Sequence, residues 1–579
     1  MYPALLIAAA LIQQPKVDVQ TVAPNEQGLA YTISPKGAHV VAITQKGTRW
    51  VVLHDGVPGP LFDQIISGGG GGRISFSPDG TRFGYVGRQS QEWVAMVDGK
   101  EVLRRPIGTN QTVLRGAGLA IQFTPNGKHW FLHYNNGNEG NPLADPPRLI
   151  WDGVVGPVGA INDIVVSANG ERYAYTLSNP ANPDQKVLMV DGKPAPALGF
   201  TPVFTGDGLH LYTQRITIPR VGPQVTELLL DGRPIIRAFR TEVFTAPVGS
   251  LAVIKVDRKE PNGSETTFLH VGGVKVPGSE AQHMSPIRFS ADGKHWVTKV
   301  GMPGQPYYLI VDGIKQREYE TIDSVRWTDT GKPVYVVGAA SKSFVITGDQ
   351  ESENGYIGGL FPIALGKGGR VGYVASLGQA TVVVADVKVT QPPPRTHLTD
   401  FSFSPDGLRL AYAAVPPGGS AGTVMVDHKQ QDASASQAFG QIRNGDPVQY
   451  VWSPDSKYTM HYGMPRPGEF GLFLGDKYVA HGNTPRIELP IFTPDAKHLF
   501  WIAGDGNRGM MEVFLDGKMI YEFDDQGRGP LSDKGNWEMG ADGVLTFIVQ
   551  TVEGFKRVRV TPGPEHGVEA MIARGKVVR

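Results

Sequence analysis

The segment Gly418-Gly419-Ser420-Ala421-Gly422 has the G-x-S-x-G spacing of a nucleophile elbow, in which a serine hydroxyl is presented on a sharp strand-to-helix turn. That chemistry needs a helix after the serine and an acid and a histidine from an α/β sheet. Here the pattern lies in PPGGSAG and runs into the strand-like stretch Thr423–Val426, so it reads as a hairpin loop. Five histidines, His39, His129, His210, His295 and His498, each stand two residues beyond a recurrent turn. Equivalent positions on neighbouring sheets are about 10 Å apart, whereas zinc holds its nitrogen ligands at about 2.1 Å. The array therefore cannot converge on one ion, and it reads as a repeated contact with the turn or the next repeat. Gly68–Gly72 lacks the Gly-Lys-Ser/Thr of a phosphate loop, and Asp524-Asp525 sits in the turn-like DDQGRG. Asn110-Gln111-Thr112 and Asn262-Gly263-Ser264 match the glycosylation triplet, which matters only in a glycosylating secretory route. HExxH, paired CxxC and EF-hand patterns are absent, so neither a metal site nor a cofactor is expected.

The elements that must carry these residues are repeats. A short strand runs into a Ser-Pro-Asp-Gly type of turn in ISFSPDG (to Gly80), IQFTPNG (to Gly127), IRFSADG (to Gly293) and FSFSPDG (to Gly407). Weaker copies bring the turns to thirteen, at Ser34, Ser77, Thr124, Ser167, Thr205, Thr245, Ser290, Thr328, Leu365, Ser404, Ser453, Thr493 and Gly540. Proline presets the early turn dihedral, aspartate bonds local backbone, and glycine accepts the positive φ. A second turn, Asp-Gly between apolar runs, recurs at Asp55, Asp98, Asp152, Asp191, Asp231, Asp312 and Asp516. Four antiparallel strands in about 42 residues, repeated without helical periodicity, describe propeller blades.

These motifs resemble the TolB-type, WD-repeat-like β-propeller family over roughly residues 17–560. The resemblance implies an all-β fold of tandem β-propellers with about thirteen four-stranded blades. It covers the repeat and leaves the activity open. The WD dipeptide falls in a repeat position only as Trp151-Asp152, and the N-terminal domain of TolB has no room here, so no TolB binding residue is carried over. Propellers usually hold four to eight blades, which argues for two rings, seven plus six or six plus seven. The repeats near Thr245, Thr328 and Leu365 lack Asp-Gly, and the boundary is placed near residue 322, with QPPPRT at Gln391–Thr396 as an alternative linker. Residues 17–322 then form the first propeller and 323–579 the second. Gln430–Gln441 reads as a surface loop. Lys16–Val22 alternates well enough to close a ring, and deleting residues 16–24 is expected to open the first one.

Composition narrows the function. Lys plus Arg and Asp plus Glu are 55 each, so no whole-chain field favours nucleic acid or an acidic membrane. With no cysteine, disulfides, thiolate metal sites and cysteine nucleophiles are excluded. Ala4–Ile12 is too short to span a bilayer but suits the core of a signal peptide over residues 1–16, which predicts a periplasmic or secreted protein without stable membrane insertion.

In such a blade the two regular turns lie on one face, and the longer, variable loops lie on the other. Those loops carry aromatics and cations, from which Arg88, Trp93, Tyr134, Arg148, Arg220, Tyr307, Arg466 and Arg508 are taken as ligand-binding residues. The leading expectation is a non-enzymatic scaffold that binds a protein, peptide or glycan. A carbohydrate-active enzyme, a polysaccharide lyase or glycoside hydrolase with its site at a channel mouth, is the alternative, and a structural spacer is a third reading.

Overall fold

The computed structural model describes residues 15–577 apart from 25–29, 36–37, 67–73, 107–118, 135–146, 180–181, 196–198, 221, 282, 302–303, 353–362, 378–379, 386–387, 394–395, 417–420, 432–434, 438–441, 444–445, 448–449, 467–468, 483–489, 506–508, 525–536 and 565–566. Among the described residues thirteen antiparallel blades follow one another along the chain and build a β-propeller, blades ten and eleven sharing one continuous sheet. Blade one comprises Ala30–Ile33, Val40–Lys46, Arg49–His54 and Val57–Phe62, and its successors repeat that order with each strand bonded to the next. In blade two the innermost strand is split: Gln64–Ile66 and Ile74–Phe76 both pair with Phe83–Gln89.

The turns fall where the motif predicts, with two single-residue shifts. Ser77 shows the pattern: its amide bonds the Arg82 carbonyl, and the Gly80 amide bonds the Ser77 carbonyl, both within 2.9 Å. In the sixth and ninth repeats the equivalent bonds start at Ala246 and Gly366, one residue beyond Thr245 and Leu365. Those repeats, like the thirteenth with Gly540, lack the serine or threonine that marks the position in the other ten. Gly80 and Gly407 adopt φ of 77° and 74°, as the turn reading requires.

Each blade buries one face on its successor. Among the described residues thirteen clusters of buried side chains occur, and each is shared by consecutive blades. The interface between blades seven and eight, where the two-ring division falls, packs Val297 and Leu309 against Tyr319, Ile322, Tyr335, Val337 and Ile346. Blade thirteen packs on blade one through Ile548 and Phe555 against Val40, Ala42, Val51 and Leu53.

Both ends of the described chain serve as straps. Lys16–Ala23 pairs antiparallel with Gly554–Thr561, Lys16 opposite Thr561 and Ala23 opposite Phe555. The closing strand therefore joins the last blade of the whole chain, not the seventh blade that a first ring ending near 322 implies. Its buried tip, Val22 and Ala23, wedges into the junction with blade one. At the other end Gly567–Arg574 is an α-helix, which strand periodicity did not foreshadow. Val568 and Met571 enter the core of blades eleven and twelve, and Lys576–Val577 then adds a strand beside Lys477–Tyr478 of blade eleven. Gly567 is required there, because a Cβ would lie 1.8 Å from the Asp516 carboxylate.

The stretch expected as a surface loop at 430–441 contains a strand instead. Ala435–Gln437 pairs with Ala421–Gly422 on one side and Tyr462–Met464 on the other, joining blades ten and eleven. Ala421–Val426 is itself a strand, as the hairpin reading of G-x-S-x-G expects, although Gly418–Ser420 lie outside the described residues. Gly68–Gly72, Asn110–Thr112 and nearly all of residues 1–16 also lie outside them.

Candidate binding face and the turn staples

The strand order sets two faces. Turns from first to second strand and from third to fourth share one edge of every blade, and the second-to-third hairpins emerge at the other.

On the turn face the array histidines have a structural task. In eight blades the aspartate of the outer turn accepts two hydrogen bonds, one at each carboxylate oxygen. Oδ1 takes the backbone N–H that opens the second strand, from Val40, Phe83, Trp130, Tyr173, Leu211, Trp296, Leu410 or Leu499, at 2.8–3.1 Å. Oδ2 meets the side chain of the preceding residue, His39, Arg82, His129, Arg172, His210, His295, Arg409 or His498, at 2.6–3.1 Å. These aspartates hold φ of 47–52°, a left-handed conformation that Asp tolerates better than most residues. The histidines are thus staples within a blade, and arginine substitutes for them.

Arginine also clamps two backbone carbonyls of the next blade, where His129 reaches across only to the Glu171 carboxylate at 3.4 Å. Arg82 Nη1 also donates to the Gly127 and Lys128 carbonyls of the next blade, with its guanidinium 5.3 Å from the Phe123 ring. Arg172, Arg370 and Arg409 repeat the arrangement on the blades that follow them. Carboxyls in the inner turns are held below the usual carboxylate range, Asp79 first by the Ser77 hydroxyl, Asp207 by Thr205, Asp292 by Ser290 and Asp406 by Ser404. Their shifts follow from turn geometry, and they are spread around the blades.

Blade one departs from the pattern. His54 precedes Asp55, where blades two, three, four, five, seven, ten and twelve have Val97, Trp151, Val190, Leu230, Val311, Val426 and Leu515. His54 Nε2 lies 3.9 Å from the Asp55 Oδ2 that His39 Nδ1 approaches to 2.7 Å, and the two imidazole centroids are 5.3 Å apart. Arg557 of blade thirteen donates to the same oxygen at 2.8 Å. The His54 ring stacks on Phe83 of blade two at 4.4 Å. Burial first, then the neighbouring His39 and Arg557, lower its pKa against the pull of Asp55. Burial raises Asp55, but His39, the Val40 amide and Arg557 together bring it below the usual range.

On the loop face the eight expected ligand residues divide. Trp93 is 2% exposed and packs between blades two and three, so it is a core residue, a correction that its apolar register WVAMV explains. Tyr307 is half-buried, bridges Tyr319 through backbone bonds and carries the Lys299 ammonium 5.0 Å from its ring centre. Arg88 and Arg148 are also half-buried, and Arg148 Nη1 donates to the Gly156 carbonyl at 3.2 Å. Arg220 is exposed. Tyr134 and Arg466 end strands whose tips lie on this face, but their side chains, like all of Arg508, fall outside the described residues.

Arg220 belongs to the blade-five hairpin formed by Leu211–Thr217 and Val225–Leu230. Ile216 and Ile218 on it are 48% and 78% exposed, and Arg215 pairs with Glu227 at 2.6 Å. This is an apolar tip with cations beside it. The pattern of aromatics and cations singles out only Arg220 here, because an aliphatic side chain in a loop carries no mark of its exposure.

No protein-family model matches the chain, and no curated protein matches it. Among solved structures, one described as a eukaryotic initiation factor is 12% identical, covering 65% of this chain and 92% of that one, at a TM-score of 0.24. The β-propeller domain of the Trilobed protease from Pyrococcus furiosus is 12% identical over 47% of this chain and 96% of that one, with a TM-score of 0.23. TolB from Acinetobacter baumannii is 12% identical over 47% and 79%, with a TM-score of 0.19. Likeness at these scores carries no argument about function, and the β-propeller assignment stands on the strand order and the packing of consecutive blades.

Proposed function

We propose that this chain is an exported, non-enzymatic β-propeller scaffold that binds a protein, peptide or glycan on its loop face. The observation that supports the reading most is the blade-five hairpin, where Ile216, Ile218 and Arg220 stand in solvent on a scaffold otherwise fixed by blade-to-blade packing. Exposed aliphatic side chains next to arginine suit a peptide or protein surface, with arginine as the anchoring residue. Export rests on the apolar run Ala4–Ile12.

The test is binding of residues 16–579 to arrayed peptides and glycans, repeated with Ile218→Ser and Arg220→Ala. Saturable binding weakened about tenfold or more by either change supports the scaffold and its face, since a hot-spot residue costs more than about 1 kcal/mol. Binding indifferent to both changes removes this hairpin from the reading. Turnover of a polysaccharide would favour the enzyme instead.

A further inference from the structure

We propose that His39, His54 and Asp55 form a binding site for a divalent transition-metal ion of the zinc class, at the junction of blades thirteen, one and two. One ligating atom from each residue lies within 4.8 Å of the other two. Ligands around tetrahedral zinc stand roughly 3.4 Å apart at bond lengths near 2.1 Å. Assembly of the set therefore opens the 2.7 Å contact of His39 Nδ1 with Asp55 Oδ2, whose shared proton the ion replaces, and draws in His54 Nε2 from 3.9 Å. Two imidazoles and one carboxylate, with a fourth position left to water, form a ligand set that zinc accepts and calcium or magnesium does not.

Two features make this trio different from the other staples. It alone adds an imidazole ahead of the turn aspartate among the eight stapled blades. Its carboxylate is also held from outside by Arg557 on Oδ2, beyond the amide on Oδ1 that all eight staples share. Such outer partners fix the orientation of a metal-binding carboxylate. Arg557 has further acceptors in the Ala38 carbonyl and Gln20 Oε1, so it can stay at the edge of the site while an ion takes the inner lone pair. The side chains of His39 and His54 are 31% and 37% exposed, which gives an ion and its water a way in.

The experiment is calorimetric titration of the full chain with Zn2+, and visible spectroscopy with Co2+, on wild type and on His54→Leu and His129→Leu. His129 makes the same staple with Asp152 but has no imidazole ahead of that aspartate. One equivalent of zinc and tetrahedral Co2+ bands are expected for wild type and His129→Leu. In His54→Leu affinity is expected to fall by at least about 100-fold, beyond the loss typical of an outer partner. Leucine keeps an apolar contact on Phe83, and the metal-free melting temperature establishes that the variant is folded. Absence of saturable binding in wild type overturns the site, as does binding that survives in His54→Leu or is lost equally in His129→Leu.

Discussion

The N-terminal strand offers a measurement of how the circuit of blades is closed. Val22 is fully buried against Val40, Ala42, Val51 and Leu53, while Val19, on the same strand, is 45% exposed. Val22→Ala removes two carbons from this junction, about 1.6 kcal/mol at about 0.8 kcal/mol each, and the cavity left between rigid sheets raises the cost to about 2–3 kcal/mol. Val19→Ala should change stability by no more than about 0.5 kcal/mol. A repeat array need not unfold in one step, so a global melt can hide a local opening. Amide hydrogen exchange reads the junction directly. Exchange across the paired residues Lys16–Ala23 and Gly554–Thr561 should quicken roughly 30- to 140-fold in Val22→Ala, at about 1.4 kcal/mol per tenfold, and hardly at all in Val19→Ala. Equal protection in the two variants would refute the idea that this strand seals the junction.

Other outcomes follow from the staples, the turns and the core. Asp98→Ala loses two hydrogen bonds and forces alanine to φ of 52°, so it should cost about 1–3 kcal/mol, more than Asp98→Asn, which keeps a backbone acceptor; urea denaturation checks the order. At Gly407 a Cβ would sit 2.2 Å from the Lys367 backbone nitrogen, whereas at Gly99 nothing lies within 4 Å, so Gly407→Ala should lower the melting temperature more than Gly99→Ala at nearly equal φ. Burial lowers the His498 pKa, but Asp516 outweighs it and leaves the pKa raised. Its folded form therefore binds the proton more tightly, and its contribution is complete below the unfolded value of 6.5 and fades as pH rises through the folded one. His498→Ala should thus be more destabilising at pH near 5.5 than at pH near 8.5 by denaturant titration. Trp93→Ala should cost about 3–5 kcal/mol while Arg220→Ala leaves the melting temperature unchanged. Halves cut between blades seven and eight expose the Val297 and Tyr335 surfaces and are expected to associate on sizing columns; stable separate monomers would support two rings divided near residue 322.

The repeat was legible because its turns demand particular residues: serine or threonine to bond the turn backbone, aspartate or glycine where φ is positive. Thirteen turns could be placed to within a residue on that ground. What the sequence hid depends on contacts far apart along the chain. Arg557 reaches Asp55 across the closure, and nothing local to either residue announces the partner. The helix at Gly567–Arg574 is short, and Val568, Met571 and the partly buried Ile572 face inward over a single turn, too short a stretch to set up a periodic signal. Trp93, second residue of the strand Glu92–Val97, borders the loop by position, but its side chain points into the core, a direction that position alone does not give. The histidine staple was half visible. Its repetition marks a structural contact, but the exchange of histidine for arginine at the same position hides the full set, and with it the clamp onto the next blade.

The pairing of Lys16–Ala23 with Gly554–Thr561 also fixes an order of events in time. The two partners are separated by roughly 530 residues, which take about half a minute to two minutes to synthesise at about 5–20 residues per second. Blades one to eleven can dock on their neighbours as they appear, whereas the junction of blades eleven and twelve is complete only when Val568 and Met571 arrive. The exposed edge of Gly554–Thr561 and the unclaimed strand Lys16–Ala23 must both wait. A chain stalled or clipped before residue 554 keeps a sticky strand with no home, which another copy's last blade could accept. The arrival of residues 554–561 is the step that turns an open row of blades into one whose two edges no longer seek partners.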